Sequence, residues 1–219
     1  YYTKEYHTKE HIIIFTNDQD ILQMVEYDGV NVYLANKKEY INKKNYFMYF
    51  QHDHRNIRLL KTFCGCDSDN IKGVAGLGEK TFLKHFPKAI KEPVDIEYIL
   101  NETKLISESL KKPLQVIDNI LNKVIINDSK KKEVMDSDFY NINYQIVDLL
   151  NPMVTREAKH LIKEEAELPI DTDNLGSKNL LKYMNDDGFL TIWNGGISLF
   201  CQPFYPTIAK EKEFYKQNK

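Results

Sequence analysis

The sequence predicts an α/β chain that becomes mainly helical beyond its first strands. Three observations carry this. Ile12-Ile13-Ile14-Phe15 is a short, unbroken apolar run rich in β-branched residues, which suits a parallel strand buried on both faces. Val30, Val32 and Leu34 alternate with polar or less apolar neighbours, as a second strand does. From Pro87 to about Ser129 the apolar residues (Ile96, Ile99, Leu100, then Val116, Ile117, Ile120, Leu121, Val124) recur at helical spacing, and Pro93 and Pro113 break the run into pieces.

The chain has 219 residues, of which 42% are hydrophobic, so it can build one large core or two small ones. A net charge of −2 excludes a histone-like binder. The charge is nonetheless uneven. Lys37, Lys38, Lys43, Lys44, Arg55, Arg58, Lys61, Lys72, Lys80, Lys84, Lys88 and Lys91 crowd the first half. A local basic face can hold phosphate although the total is near neutral; some of these lysines are ordinary solvated ones. Three cysteines and no secretory signal point to a reducing cytoplasm. Cys64-Gly-Cys66 lacks a second ligand pair at zinc spacing. No apolar run approaches the ~20 residues of a membrane span.

In chain order, Thr16-Asn17-Asp18 ends the first strand, and Ile21, Leu22, Met24 and Val25 form the buried side of a short helix. Gly29 and Asn31 mark a turn before the second strand, and a lysine-rich hairpin or loop runs to Lys44. The aromatic block Tyr46, Phe47, Tyr49, Phe50 reads as core. In His52-Asp53-His54 a helix cap is the better reading than a metal site. Asn56 to Phe63 is an amphipathic helix with Ile57, Leu59, Leu60 and Phe63 inside and Arg55, Arg58 and Lys61 wet. Lys130-Lys131-Lys132 is a solvated turn. Glu157 to Glu167 is a charged helix. Leu180 to Phe189 is a further helix closed by Gly188, and Trp193, Phe200, Phe204 and Tyr205 give an apolar tail.

Two stretches carry chemistry. Asp18 and Asp20 stand where the first strand ends. Ligands in open α/β sheets gather at the carboxyl ends of strands, and two carboxylates there can share one hard divalent ion; either can equally cap the following helix. The second stretch runs from Cys64 to Phe86. Gly73, Gly76 and Gly78 follow the acidic pair Asp67 and Asp69, and a helix bearing Lys80, Thr81 and Lys84 comes next. A glycine-rich turn opening a helix suits phosphate, or simply joins two helices.

Ser68-Asp-Asn-Ile-Lys-Gly-Val-Ala-Gly-Leu-Gly-Glu-Lys-Thr81 resembles the signature of the flap endonuclease and 5′→3′ exonuclease family, bacteriophage ribonuclease H enzymes included: Gly-Asp-x-Ser-Asp-Asn-Ile-x-Gly-Val-x-Gly-Ile-Gly-x-Lys-Thr. Upstream, Ile12 to Val25 is similar to the family's strand, Asp-x-Asp and Leu-Gln-Leu helix, and the interval between the motifs also fits. The resemblance implies a remnant of a PIN-like parallel-sheet nuclease domain over residues 1–60. A helix–three-turn–helix DNA-binding subdomain would follow over 61–150, and carboxyl-terminal helices packing back on the core over 151–219. It implies that Asp18, Asp20, Asp67 and Asp69 bind two magnesium ions, with manganese able to substitute. Gly73, Gly76, Gly78, Lys80, Thr81 and Lys84 would hold duplex DNA, with potassium expected at the turn.

The sequence departs from the family in two respects. Cys66 stands where the first aspartate of Gly-Asp-x-Ser-Asp-Asn belongs, so Asp67 would have to take its duty one place later. The family's first strand, basic arch and Glu-x-Asp pair do not precede Ile12. The resemblance therefore implies an amino-terminal nuclease half on a separate or removed polypeptide. The expected activity is magnesium-dependent cleavage of flap DNA or RNA primers in replication. Branched or nicked duplex DNA and RNA–DNA hybrids would be the partners, in a bacterial host cytoplasm if the chain is phage-encoded. A non-catalytic duplex-binding module, or a replication-complex subunit, is the alternative expectation.

Overall fold

The computed structural model describes residues 1–168 and 177–186. Tyr1–Ile162 form one compact unit and Lys163–Lys219 a second. A short helix α1 (Tyr2–Tyr6) leads into strand β1 (Ile12–Thr16), then a 3-10 helix (Asp20–Glu26), β2 (Val30–Leu34) and β3 (Glu39–Ile41). Helices α2 (Tyr46–Phe50), α3 (Ile57–Cys64), α4 (Glu79–His85), α5 (Lys88–Lys91), α6 (Ile96–Ser109) and α7 (Gln115–Leu121) follow. A hairpin of β4 (Val124–Ile126) and β5 (Lys132–Val134) precedes α8 (Phe139–Val147) and α9 (Arg156–Glu167). Helix α10 (Ser177–Asp186) lies in the second unit. The fold is thus mixed α/β, with small sheets and many helices, as the sequence predicts. Gly188 and the apolar tail of Trp193, Phe200, Phe204 and Tyr205 lie outside the described residues.

The first sheet has the order β1-β2-β3, with β1 parallel to β2 and β2 antiparallel to β3. Val32 and Leu34 point inward with Ile41, against Leu22, Val25, Tyr46 and Ile57, and Val30 is buried as well. The alternation predicted for β2 is therefore met. β1 is different. It alternates too, and Ile13 and Phe15 are 52% and 72% exposed. The expected strand buried on both faces is not met: among the described residues β1 pairs on one side only and its outer face is bare.

The second core lies among the helices. Leu59, Leu60 and Phe63 of α3 pack with Val74, Leu77, Phe82, Phe86, Ile99, Ile117, Ile120 and Tyr140, and the Phe63 ring stacks on Tyr140 at 4.3 Å. Helix α3 thus serves both cores, with Ile57 facing the sheet. Val124 does not continue the α7 helix as its spacing suggests. Lys123 adopts φ 51° and turns the chain into β4, which pairs with β5. The hairpin braces the glycine turn, since the Ala75 amide donates to Val124 O at 2.8 Å.

The short helix after Asp18 is a 3-10 helix, and this changes its inner face. Gln23 is buried beside Leu22, Met24 and Val25. It donates to Val147 O at 2.9 Å and accepts from the Leu149 amide at 3.1 Å, fastening the end of α8 to the sheet side. The aromatic block is core only in part: Tyr46 is buried, whereas Phe47 is exposed. Asp53 is a cap, accepting from the Arg55 amide.

Candidate functional site

The end of β1 is shaped by short polar side chains bonding to nearby backbone. The Asp18 amide donates to Thr16 Oγ1 at 2.9 Å, and the Asp20 amide donates to Asp18 Oδ1 at 2.8 Å. This is a local turn of the kind Asp and Thr favour. It leaves Asp18 exposed and brings Asp20, half-buried, inward as the first residue of the 3-10 helix.

Asp20 meets the far side of the site there. Lys61, in the last turn of α3, puts Nζ 2.7 Å from Asp20 Oδ1. That oxygen is buried and makes no aligned hydrogen bond, so the contact is one of charge. Lys61 Nζ also donates to Cys66 Sγ at 3.2 Å, and Cys66 Sγ lies 3.1 Å from Ser68 Oγ. One 3-10 turn, Asp67–Asp69, follows Cys66 and is closed by Asn70 at φ 55°. Cys66 and Ile71 exchange both backbone hydrogen bonds across it at 2.9 Å. The result is a cluster in which ligand atoms of Asp20, Cys66 and Asp69 all lie within 4.8 Å of one another. Among the described residues no other such group of three or more is formed, so Asp18 and Asp67, both exposed, stand outside it.

The cluster's electrostatics follow from this packing. Burial pushes the Asp20 carboxyl up, Lys61 opposes this, and the nearby carboxylates of Asp18 and Asp69 push it further up. Hydrogen bonding from Cys66, then Asp20, holds Asp69 below the usual carboxylate range. Two facing carboxyls divide their protons in this way when no cation lies between them. Burial alone would lower the Lys61 ammonium; the Asp20 carboxylate beside it and its hydrogen bond to Cys66 outweigh this and raise the pKa. Burial pushes the Cys64 thiol up to about 12, which makes it an inert packing residue.

The glycine turn contains two kinds of glycine. A Cβ on Gly73 would lie 2.1 Å from the carbonyl carbon of Cys64, and one on Gly65, at φ 78°, would lie 2.4 Å from the Gly73 nitrogen. These two glycines let the chain cross itself. Gly76, at φ 80°, and Gly78, which leads into α4, face open space. Buried asparagines hold the crossing in place. Asn143 donates to Thr62 O at 3.1 Å and Lys72 O at 2.9 Å, and Asn119 donates to Ala75 O at 2.7 Å. Lys80 and Lys84 are exposed on α4 and Thr81 is half-buried.

No family model matches the chain. Over 167 residues it is 28% identical to the 5′-3′ exonuclease of Mycoplasmopsis pulmonis (strain UAB CTIP), a match covering 70% of this chain and 54% of that protein. The match is a similarity to a 5′-3′ exonuclease. The chain spans about half the length of that exonuclease. Among solved structures it is similar to T5 5′-exonuclease with divalent metal ions (zinc) bound, at a TM-score of 0.45 and 19% identity over 68% of this chain and 47% of that one. No described helix of the chain is long and apolar enough to cross a membrane.

Two members of the cluster escape a reading of the sequence for acidic residues. Cys66 has a legible signal, because it occupies the place of an aspartate in the exonuclease signature. Lys61 has none: at helical spacing it belongs to the wet face of α3, and only the fold turns its ammonium toward Asp20.

Proposed function

We propose that this chain is the carboxyl-terminal part of a magnesium-dependent 5′→3′ exonuclease or flap endonuclease that cleaves phosphodiester bonds in flap DNA or RNA primers. The observation that supports it best is the convergence of Asp20, Cys66 and Asp69 at the carboxyl end of β1, one turn away from the glycine crossing. A buried, unaligned carboxylate oxygen on Asp20 beside a second carboxylate suits a hard divalent cation. Asp20 and Asp69 would hold one ion, with Cys66 as a softer neighbour, and Asp18 and Asp67 would face a second from the rim. Bound magnesium, or manganese in its place, would supply hydroxide near neutral pH and neutralise charge at phosphorus.

The chain's own residues would do the rest. Lys61 would hold the Asp20 carboxylate in place and offer a positive charge to the phosphate. Gly76, Gly78, Lys80, Thr81 and Lys84 would grip the duplex backbone without reading its sequence, and Gly73 would shape that surface from within. Potassium would sit at the turn. Residues 1–60, 61–150 and 151–219 would serve as sheet, duplex-binding and returning helical portions of a cytoplasmic enzyme, with further acidic residues from an amino-terminal half.

A second reading is a non-catalytic duplex-binding module or replication-complex subunit. It is favoured by the ammonium already seated at Asp20, 2.7 Å away. Cleavage of a 5′-labelled flap duplex in magnesium separates the two, using the chain alone and then mixed with an amino-terminal nuclease half. Cutting that Asp20→Ala abolishes while duplex binding persists supports the nuclease. Salt-sensitive binding with no cutting in either sample supports the module.

A further inference from the structure

His52 is a buried titratable side chain at the corner between α2 and α3, outside the cluster around Asp20. Its ring is hydrogen-bonded on both sides, and the partners fix its tautomer. Nδ1 lies 3.1 Å from Asp53 O. A carbonyl only accepts, so Nδ1 carries the proton. Nε2 is then the bare nitrogen, and it accepts from the Tyr46 hydroxyl at 3.1 Å. Burial, then the carboxylates of Glu79 and Asp53, push the Tyr46 phenol up, so it remains a donor. The same Nε2 faces a third partner, the Glu79 carboxylate, with Oε1 3.6 Å away. A bare nitrogen has no proton to give that oxygen, so the contact is open while the ring is neutral. A cavity of about 40 Å³ lined by Tyr46, His52 and Glu79 leaves room for it to close.

We infer that His52 is a positioning residue for the duplex-gripping turn: a proton taken from solvent at Nε2 is donated to the Glu79 carboxylate and draws it off the phosphate-facing surface. The inference rests on the duplex-binding reading of α4 and adds a regulation to it. Glu79 is the first residue of α4 and stands between Gly78 and Lys80, two residues of the proposed grip. Its side chain is 56% exposed. A free carboxylate there opposes a phosphate, whereas one paired with an imidazolium does not. The Tyr46 hydroxyl accepts as well as donates, so it keeps a place beside the charged ring. The surrounding groups leave Glu79 as the partner with a gap to close. His54 is held by Glu26 at 2.6 Å, and Asp53 by Arg55 at 2.6 Å. Lys61 reaches the cavity from α3 but is turned to Asp20 at 2.7 Å. Burial lowers the His52 pKa, the Asp53 carbonyl, Glu79 and the Asp53 carboxylate oppose this, and His54 adds to it. The folded value lies below the ordinary histidine one, so the ring gains its charge as pH falls below about 6.5. Duplex affinity should therefore rise on acidification.

The test reads His52 directly, by NMR titration of its ring nitrogens in the full chain, and duplex affinity alongside, by fluorescence anisotropy with a labelled nicked duplex. Glu79→Gln should lower the His52 pKa further, because the imidazolium loses its partner. Affinity should rise roughly threefold to fivefold between about pH 7.5 and pH 5.5, as for one surface charge pair made. Glu79→Gln and His52→Gln should both abolish that rise. His85→Gln, in the last turn of α4, should keep it. Glu79 is largely exposed, so its variant should keep the parent's circular dichroism and serves even if His52→Gln does not fold. A His52 pKa indifferent to Glu79→Gln overturns the inference. So does a pH-dependent affinity that persists in Glu79→Gln. A His52–Glu79 coupling seen by NMR in a chain that binds no duplex at any pH supports the contact and removes the duplex-binding reading.

Discussion

Gly73→Ala separates two meanings of a glycine-rich turn. If Gly73 is there to let a phosphate approach, the substitution weakens duplex binding and spares the fold. If it is there to let the chain cross itself, the fold fails first. The added Cβ would sit 2.1 Å from the Cys64 carbonyl carbon, 2.2 Å from its oxygen and 2.5 Å from the Gly65 nitrogen. All three are backbone atoms, so no side chain can swing away, and the two segments must part by an ångström or more. The hydrogen bonds spanning the crossing go with them: Val74 amide to Phe63 O at 2.7 Å, and Asn143 to Thr62 O and Lys72 O. At about 1 kcal/mol each, and more where a buried group is left unpaired, these add to roughly 3–5 kcal/mol. That is a large share of a typical domain's 5–15 kcal/mol and corresponds to a fall in Tm on the order of 10 °C. Gly78→Ala is the control. It meets nothing within 4 Å at φ −92°, and an alanine there should leave Tm nearly unchanged. Thermal and urea unfolding by circular dichroism read both. A Gly73→Ala chain melting within a degree or two of the parent would refute the reasoning.

Three further outcomes are expected. Asn143→Ala should cost about 2–3 kcal/mol in urea unfolding, because it leaves the Thr62 and Lys72 carbonyls without their donor in a buried place. The Asp148 carboxyl, which burial alone would raise, is held low by Asn151, Arg58 and the Leu150 amide. Its folded pKa lies below its unfolded one, so its stabilisation is present above the ordinary carboxylate range and is lost as pH falls through the folded value. Asp148→Asn should therefore flatten the stability profile below about pH 4, measured by Tm against pH. With its thiol pushed up to about 12, Cys64 should resist iodoacetamide at pH 8 in the folded chain and react on unfolding, as peptide mass mapping would reveal.

What was legible in the sequence divides along physical lines. Period and punctuation located most helices and the alternating strand β2, because burial of one face leaves a repeat that side chains must obey. β1 differs because an unbroken apolar run reads the same whether or not its second face is covered, and among the described residues that face is bare. The β4–β5 hairpin is hidden because its strands are three residues each, too short to show a period, and Lys123 turns the chain into β4 at positive φ without glycine; its turn, with Asn127, Asp128 and Ser129, is legible. At the site, Asp20 and Asp69 were legible as carboxylates at a strand end and in a signature. Asp67 drew attention as the nearest aspartate, yet Cys66 holds the inward position, since the side chains of one 3-10 turn cannot all face Asp20.

The position of the site also explains why one helix matters to both its halves. Asp20 opens the 3-10 helix whose Leu22 and Val25 lie in the sheet-side core. Cys66 and Asp69 follow α3, whose Phe63 lies in the helical core. Between them, α3 places Ile57 in the first core and Leu59, Leu60 and Phe63 in the second, and carries Lys61 across the gap to Asp20. The separation of the three donors is thus fixed by the rotation of α3 about its axis. That rotation is held by packing on both sides, by Asn143 on Thr62 O, and by the Gly65–Gly73 crossing just beyond its end. A site assembled where two cores meet is sensitive to core mutations distant from any carboxylate. It can be built only by a fold in which the glycine crossing is already closed.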